Sequence, residues 1–143
     1  MTPMSKEYRS PACSLGQLQR RSRGRAADVR IKRIYEPADA EDGRRVLVDR
    51  LWPRGISRER AALHEWRPEL APSTGLRRWF DHDPERWSTF RRRYRAELGE
   101  QRFLIQALRE EARHRRLTLL YGARDPSCNH ARVLQELIAG RTK

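Results

Sequence analysis

The sequence predicts an α/β fold: a small three-layer-like domain with a short, mainly parallel sheet flanked by helices. Three observations lead there. Short strand-like stretches occupy residues 29–51, a run of helical patterns follows, and a wholly apolar stretch at 117–121 then leads into a closing helix. Strands separated by helices in this order pack as parallel strands joined by crossovers. At 143 residues the chain is one domain by length, long enough to bury about two-thirds of its unfolded surface.

The first strand is VRIKRIY, residues 29–35, which alternates apolar and polar side chains and stops at Glu36-Pro37. RVLVDRL, residues 45–51, is the second, with Asp42-Gly43 as the turn before it. A mixed stretch to Pro72 holds one helical turn near residues 57–63. Ser73 caps the first full helix, with Leu76, Trp79 and Phe80 on one face. Asp83 as N-cap and Pro84 at the first helical position open the next, whose stripe is Trp87, Phe90, Tyr94 and Leu98. FLIQALREEARH gives a third, expected to point Phe103, Leu104, Ala107 and Leu108 inward. LTLLY at 117–121 is the third strand, apolar on both faces. DPSCNHARVLQELIAG repeats the cap device at Asp125-Pro126, with Val133, Leu134, Leu137 and Ile138 as its stripe and Gly140 as its stop.

Residues 1–27 carry six basic side chains, from Lys6 to Arg25, against Glu7 alone, and few large apolar ones. Such a segment builds no core. It is expected to be a disordered basic N-terminal extension, with residues 28–143 as the single folded domain. The net charge is +13, and only Lys6, Lys32 and Lys143 are lysines. Two readings compete: attraction to a polyanion through counterion release, and a composition in which arginine replaces lysine without functional meaning.

Cys13 and Cys128 lie far apart in sequence, so no disulfide framework is expected. No apolar run is long enough for a membrane span, and no apolar segment follows the basic N-terminus as in a secretory signal. The expected location is the cytoplasm, with no membrane partner. His64, His82, His114 and His130 form neither an H-E-x-x-H pattern nor a cluster with cysteines. The Walker loop, G-x-G-x-x-G and G-x-S-x-G are also absent. No metal and no cofactor are expected.

In open parallel sheets ligands gather beyond the carboxyl ends of the strands. Asp49, Arg50, Trp52 and Arg54 leave the second strand there, and Arg124 with residues 125–130 leave the third. The Asp49-Arg50 pair has two readings. One is an internal ion pair that staples the Trp-Pro-Arg-Gly bend to the sheet. The other is an arginine held by a carboxylate so that it grips phosphate or carboxylate through two parallel hydrogen bonds. If Asp125 caps the last helix, Cys128 falls at its third position, where the helix dipole and Arg124 draw a thiol toward thiolate. His130 follows as an acid, base or donor. The candidate catalytic residues are therefore His130, Asp49 and Cys128. The candidate ligand-binding residues are Arg50, Trp52, Arg54, Arg124 and Asn129.

The stretches VLVDRLWPRG, PSTGLRRWFDHDPERWSTFRRRYRAEL and LTLLYGARDPSCNHARVL, in this order, resemble the YeaO-like proteins, a bacterial family with a domain of unknown function. The likeness runs from about Val29 to Ile138. It implies a small α/β domain with a charged strand end, here Asp49 and Arg50, and a D-P-x-x-C-H-R type loop, here Asp125, Pro126 and Cys128. The family pattern is broken at Asn129, which stands in the histidine position, with His130 one residue later. A winged helix-turn-helix does not fit, because residues 117–121 form one buried run leading into a helix, with no exposed wing.

The expected function is binding of an anionic small molecule, such as a nucleotide or phosphorylated metabolite, at the carboxyl ends of the strands, with chemistry upon it left open. The alternative is a nucleic-acid-binding or transcription-regulatory protein that uses the basic tail and the arginine-rich helix at 87–98. Oligomeric state is not legible.

Overall fold

Alternation along the strands sorts their side chains to two faces, and a sheet of four parallel strands results. A computed structural model describes residues 26–140, so the expected N-terminal extension lies outside the described residues except for its last two positions. The strands β1 (Val29–Arg33), β2 (Arg44–Leu47), β3 (Glu65–Trp66) and β4 (Leu117–Tyr121) lie in the order β1-β4-β2-β3. Val29 pairs with Leu117, Val46 with Leu119 and Val46 with Glu65. The helices are α1 (Arg58–Ala61), α2 (Thr74–Phe80), α3 (Trp87–Leu98), α4 (Arg102–His114) and α5 (His130–Ile138).

Every residue of the central strand β4 is buried. Leu117, Leu119 and Tyr121, with Val46 and Val48, face a core built by Leu76 and Phe80 of α2, Phe90 and Tyr94 of α3, Leu108 of α4 and Leu134 of α5. Leu47, Leu120 and Ile34 face the other way, onto Ile56, Ala61 and the rings of Trp52 and Trp66. The layers are thus a thick helical cover, the sheet, and a thin cover from α1 and its flanking loops. Each large side chain fully buried in this way contributes about 1.5–3 kcal/mol. Among the described residues no helix is long and apolar enough to cross a membrane.

Four local features differ from the sequence expectation. The strand β3 was not foreseen. Its two residues extend the sheet edge because His64 and Arg67 donate their amides to Arg45 O and Leu47 O. Asp83 caps a 3-10 turn, Pro84–Arg86, and α3 begins only at Trp87. In α4 the buried positions are Ile105, Leu108 and Ala112, whereas Phe103 is 70% exposed, Ala107 is exposed and Leu104 is half-buried. The 3-10 turn Gly99–Gln101 joins α3 to α4 and sets this phase. Finally, α5 starts at His130 and its N-cap is Asn129, not Asp125.

On the thin side of the sheet Asp42 is buried. Its carboxylate accepts from Lys32 Nζ at 3.0 Å, from the Asp39 amide at 3.0 Å and from Arg45 Nη1. Burial alone raises its pKa, but these hydrogen bonds outweigh burial and hold it below the ordinary carboxylate value.

Beside this cluster, His64 Nδ1 accepts the Arg45 amide at 3.0 Å, so a neutral imidazole continues the strand ladder. Desolvation first, then the charges of Arg115, Arg44 and Arg45, lower its pKa from 6.5. A group whose folded pKa is depressed binds fewer protons folded than unfolded between the two values, so stability rises with pH there. Stability should be full above 6.5 and fall as pH drops below it. Urea unfolding at about pH 7.5 and about pH 5.5 checks this: the acid-induced loss should be smaller in His64→Leu than in the parent chain.

Candidate functional site

Where β2 leaves the core, Val48 still donates its amide to Leu120 O at 3.1 Å, and Asp49 is the first side chain past the ladder. Its Oδ2 accepts from the Gly122 amide just beyond β4, at 2.9 Å. Gly122 packs closely here: a Cβ would stand 3.0 Å from Asp49 Oδ2, so the carboxylate would have to give by a few tenths of an ångström, and 3.6 Å from Pro53. The indole of Trp66 donates to Asp49 O at 2.8 Å. Two strand ends and the edge strand are thereby tied together at one residue.

His130, the first residue of α5, completes the knot. Its Nε2 lies 3.1 Å from Val48 O and 3.1 Å from Asp49 Oδ1. Both neighbours are acceptors, which assigns the proton to Nε2. One N–H cannot point at two oxygens, and its direction favours the carbonyl. Asp49 Oδ1, buried, is left in electrostatic contact with the ring but without an aligned hydrogen bond. The side chains are 19% and 14% exposed, so the contact is largely withdrawn from water.

The loop before α5 is built differently from the expectation. Asp125 Oδ1 accepts the amides of Ser127 and Cys128 at 2.8 and 3.1 Å, closing a turn of its own that ends before the helix. Asn129 then caps α5: its Oδ1 accepts the Arg132 amide at 2.9 Å while its Nδ2 donates to Asp125 O at 2.8 Å. Cys128 therefore precedes the helix rather than sitting in its first turn. Burial raises the thiol pKa, Asp125 raises it further, and Arg132 only partly opposes them. In a Cys13→Ser background, alkylation of Cys128 by iodoacetamide at about pH 7 should be slower than that of a free cysteine peptide. Mass spectrometry reads the rate.

The Arg50 guanidinium donates to Pro72 O and Ala71 O at 3.2–3.3 Å. It is not oriented by Asp49, whose partners are Gly122 and His130. Trp52 donates Nε1 to Ile56 O at 2.8 Å, meets Trp66 edge-on at 5.6 Å and carries the Arg58 guanidinium 4.6 Å above its ring.

These groups surround one cleft of about 440 Å³ at the carboxyl ends of β2 and β4. Of the sequence candidates, Asp49, Arg50, Trp52, Arg54, Cys128, Asn129 and His130 line it. Arg124 does not: it is exposed and lies off the lining. The lining also includes Arg77 and Phe80 of α2, His82 in the turn that follows α2, and Phe90 of α3, none of which sequence reasoning offered as a site residue. No spacing marks Arg77. No sequence pattern marks His82 either; in the structure it and Asp81 both adopt left-handed backbone after α2, at φ of 54° and 49°.

Of the described residues, three guanidinium groups line the cleft against one carboxylate, that of Asp49. Among the described residues, Arg54 and Arg77 have no ion pair and no side-chain hydrogen bond, unlike Arg50. The polar set that resembles catalytic machinery is committed internally instead. His130 holds its Nε2 proton toward a carbonyl, Asn129 uses both ends of its amide, and the Cys128 thiol is driven away from thiolate. Among the described residues, no three of His, Cys, Asp and Glu gather as a metal site.

Residues 28–143 match the family model described as the inactive DUF488-N3 subclade. The chain belongs to this YeaO-like family. The YeaO-like domain is 45% identical over 109 residues to the uncharacterised protein YeaO of Escherichia coli K12, which covers 76% of this chain and 95% of that one. It is 40% identical over 117 residues to uncharacterised proteins of Mycobacterium tuberculosis H37Rv and of Mycobacterium bovis, covering 82% of this chain and 98% of each relative. No solved structure matches this YeaO-like chain.

Proposed function

We propose that this YeaO-like protein is a non-catalytic receptor for an anionic small molecule, a nucleotide or phosphorylated metabolite, held in the cleft at the strand ends. The observation that carries the reading is the pair of unpartnered guanidiniums, Arg54 and Arg77, on the lining of a cleft whose one carboxylate is already engaged. A guanidinium offers a flat fork of donors that matches phosphate or carboxylate oxygens. Trp52, Phe80 and Phe90 add aromatic surface suited to a base or another planar group. The internal commitments of His130, Asn129 and Cys128 agree with the word "inactive" in the family description. Binding without turnover needs no free nucleophile or base.

Thermal shift against nucleoside mono- and diphosphates, sugar phosphates and dicarboxylates tests the reading. A ligand present at about 100 times its Kd should stabilise the protein by roughly 2.7 kcal/mol. A flat response across all of these classes contradicts it.

A further inference from the structure

Beyond Arg77, outside the cleft lining, further guanidinium groups follow on and beside α2. At about 100° per residue, Arg77 and Trp79 fall on opposite flanks of α2, on either side of the buried Leu76 and Phe80, with exposed Arg78 between them on the outer face. On the Trp79 flank stands a second cationic feature. The guanidiniums of Arg86 and Arg93 lie over the Trp79 indole, 5.3 and 4.6 Å from its centroid. Among the described residues Arg78 and Arg93 have no carboxylate partner. A positive path thus runs from the cleft over α2 to a platform of flat groups.

This extension rests on the anion-binding reading of the cleft. We infer that the occupant of the cleft is one nucleotide of a single-stranded nucleic acid, whose neighbouring nucleotides cross the outer face of α2 past Arg78 and stack on the Trp79, Arg86 and Arg93 platform. Three features favour this partner over a free nucleotide or an acidic peptide. The chain's charge of +13 favours a polyanion. A guanidinium over an indole presents cationic surface against which unpaired bases pack, and Arg93 keeps its N–H groups for phosphate, whereas Arg86 is committed to the Asp83 carboxylate at 3.5 Å and to Trp79 O. The span also fits, since a helix diameter of about 10–12 Å corresponds to about three nucleotides of stacked strand. A base paired in a duplex cannot enter the cleft without leaving its stack.

The test uses the full chain, 3′-fluorescein-labelled decathymidylate and decauridylate read by anisotropy, and thymidine monophosphate read by calorimetry. The decamers should bind about ten-fold or more tighter than the mononucleotide, with a log–log salt slope near −2, about −0.7 for each of three phosphates. Arg78→Glu and Arg93→Gln, both exposed positions, should each weaken the decamers by about five-fold or more while mononucleotide affinity stays unchanged. Unaltered melting curves would exclude misfolding.

Decamers that bind no tighter than the mononucleotide, or that ignore both substitutions, overturn the inference and leave the cleft reading standing. Competition by duplex or by polyglutamate as effective as by single strand overturns it as well. If thymidine monophosphate and the other small anions fail to bind while decamers bind independently of Arg54 and Arg77, the cleft reading falls and this extension falls with it.

Discussion

Replacing Arg45 by alanine is expected to destabilise the fold by about 3–5 kcal/mol, the usual consequence of removing one partner of a buried charge pair. The Arg45 side chain is 4% exposed and that of Asp42 is 9% exposed. Arg45 Nε donates to Ala61 O and Ala62 O at 3.1 Å, and its Nη2 donates to Ala61 O at 2.6 Å. One substitution therefore strips Asp42 of a cation, orphans two carbonyls and empties the volume beneath α1. Lys32 remains at 3.0 Å to carry part of the Asp42 charge, which keeps the effect from exceeding this range. Denaturant midpoints of the parent and Arg45→Ala measure it. A change below about 1 kcal/mol would mean that the pair stands in water rather than in the core.

Asp49→Ala is expected to lower stability by about 1–3 kcal/mol, because the Gly122 amide loses its charged acceptor and the His130 ring loses the carboxylate 3.1 Å away at the junction of β2, β4 and α5. Its effect on binding has the opposite sign. Among the described residues Asp49 is the only carboxylate on the cleft lining, so removing it should tighten the uptake of any anion that the folded protein accepts. A catalytic base would behave otherwise. Unfolding curves and nucleotide titration of the same variant separate the two effects.

Much of the fold is legible in the sequence because its strands alternate cleanly or are apolar throughout. LTLLY, short, apolar throughout and followed by Gly122, reads as a strand buried on both faces, and β4 occupies those residues. The strand β3 is not legible. Glu65 and Trp66 carry no pattern, and their pairing comes from the edge of β2 and from the side chain of His64, which are tertiary facts. The phase of α4 is hidden for a related reason: the preceding 3-10 turn rotates Phe103 out to solvent, where Arg102 stacks on it at 4.8 Å.

The site is legible in position and not in wiring. The rule that parallel strands carry their functional loops at one edge brings residues 49–54 and 128–130 to one cleft, although they are far apart in the chain. Adjacency in sequence suggests Asp49 with Arg50. In space Asp49 reaches a backbone amide and an imidazole from other elements, and Arg50 reaches the Ala71 and Pro72 carbonyls. Asp125-Pro126 looks like a helix start, yet Asn129, also a capping residue, sits closer to the uninterrupted stripe and takes the role. Arg77 belongs to a helix whose facing depends on packing against α3, so no local motif announces it.

Isothermal titration calorimetry of nucleoside monophosphates into the wild-type protein and the Arg54→Ala/Arg77→Ala double variant tests the central claim most directly, with product analysis on the same samples. The account predicts one site per chain, intact nucleotide at the end, and a loss of about 100-fold or more in affinity when both guanidiniums are gone, at about 1.5–3 kcal/mol for each charge-assisted contact. Binding that survives the double substitution, or nucleotide consumed during the titration, would contradict it.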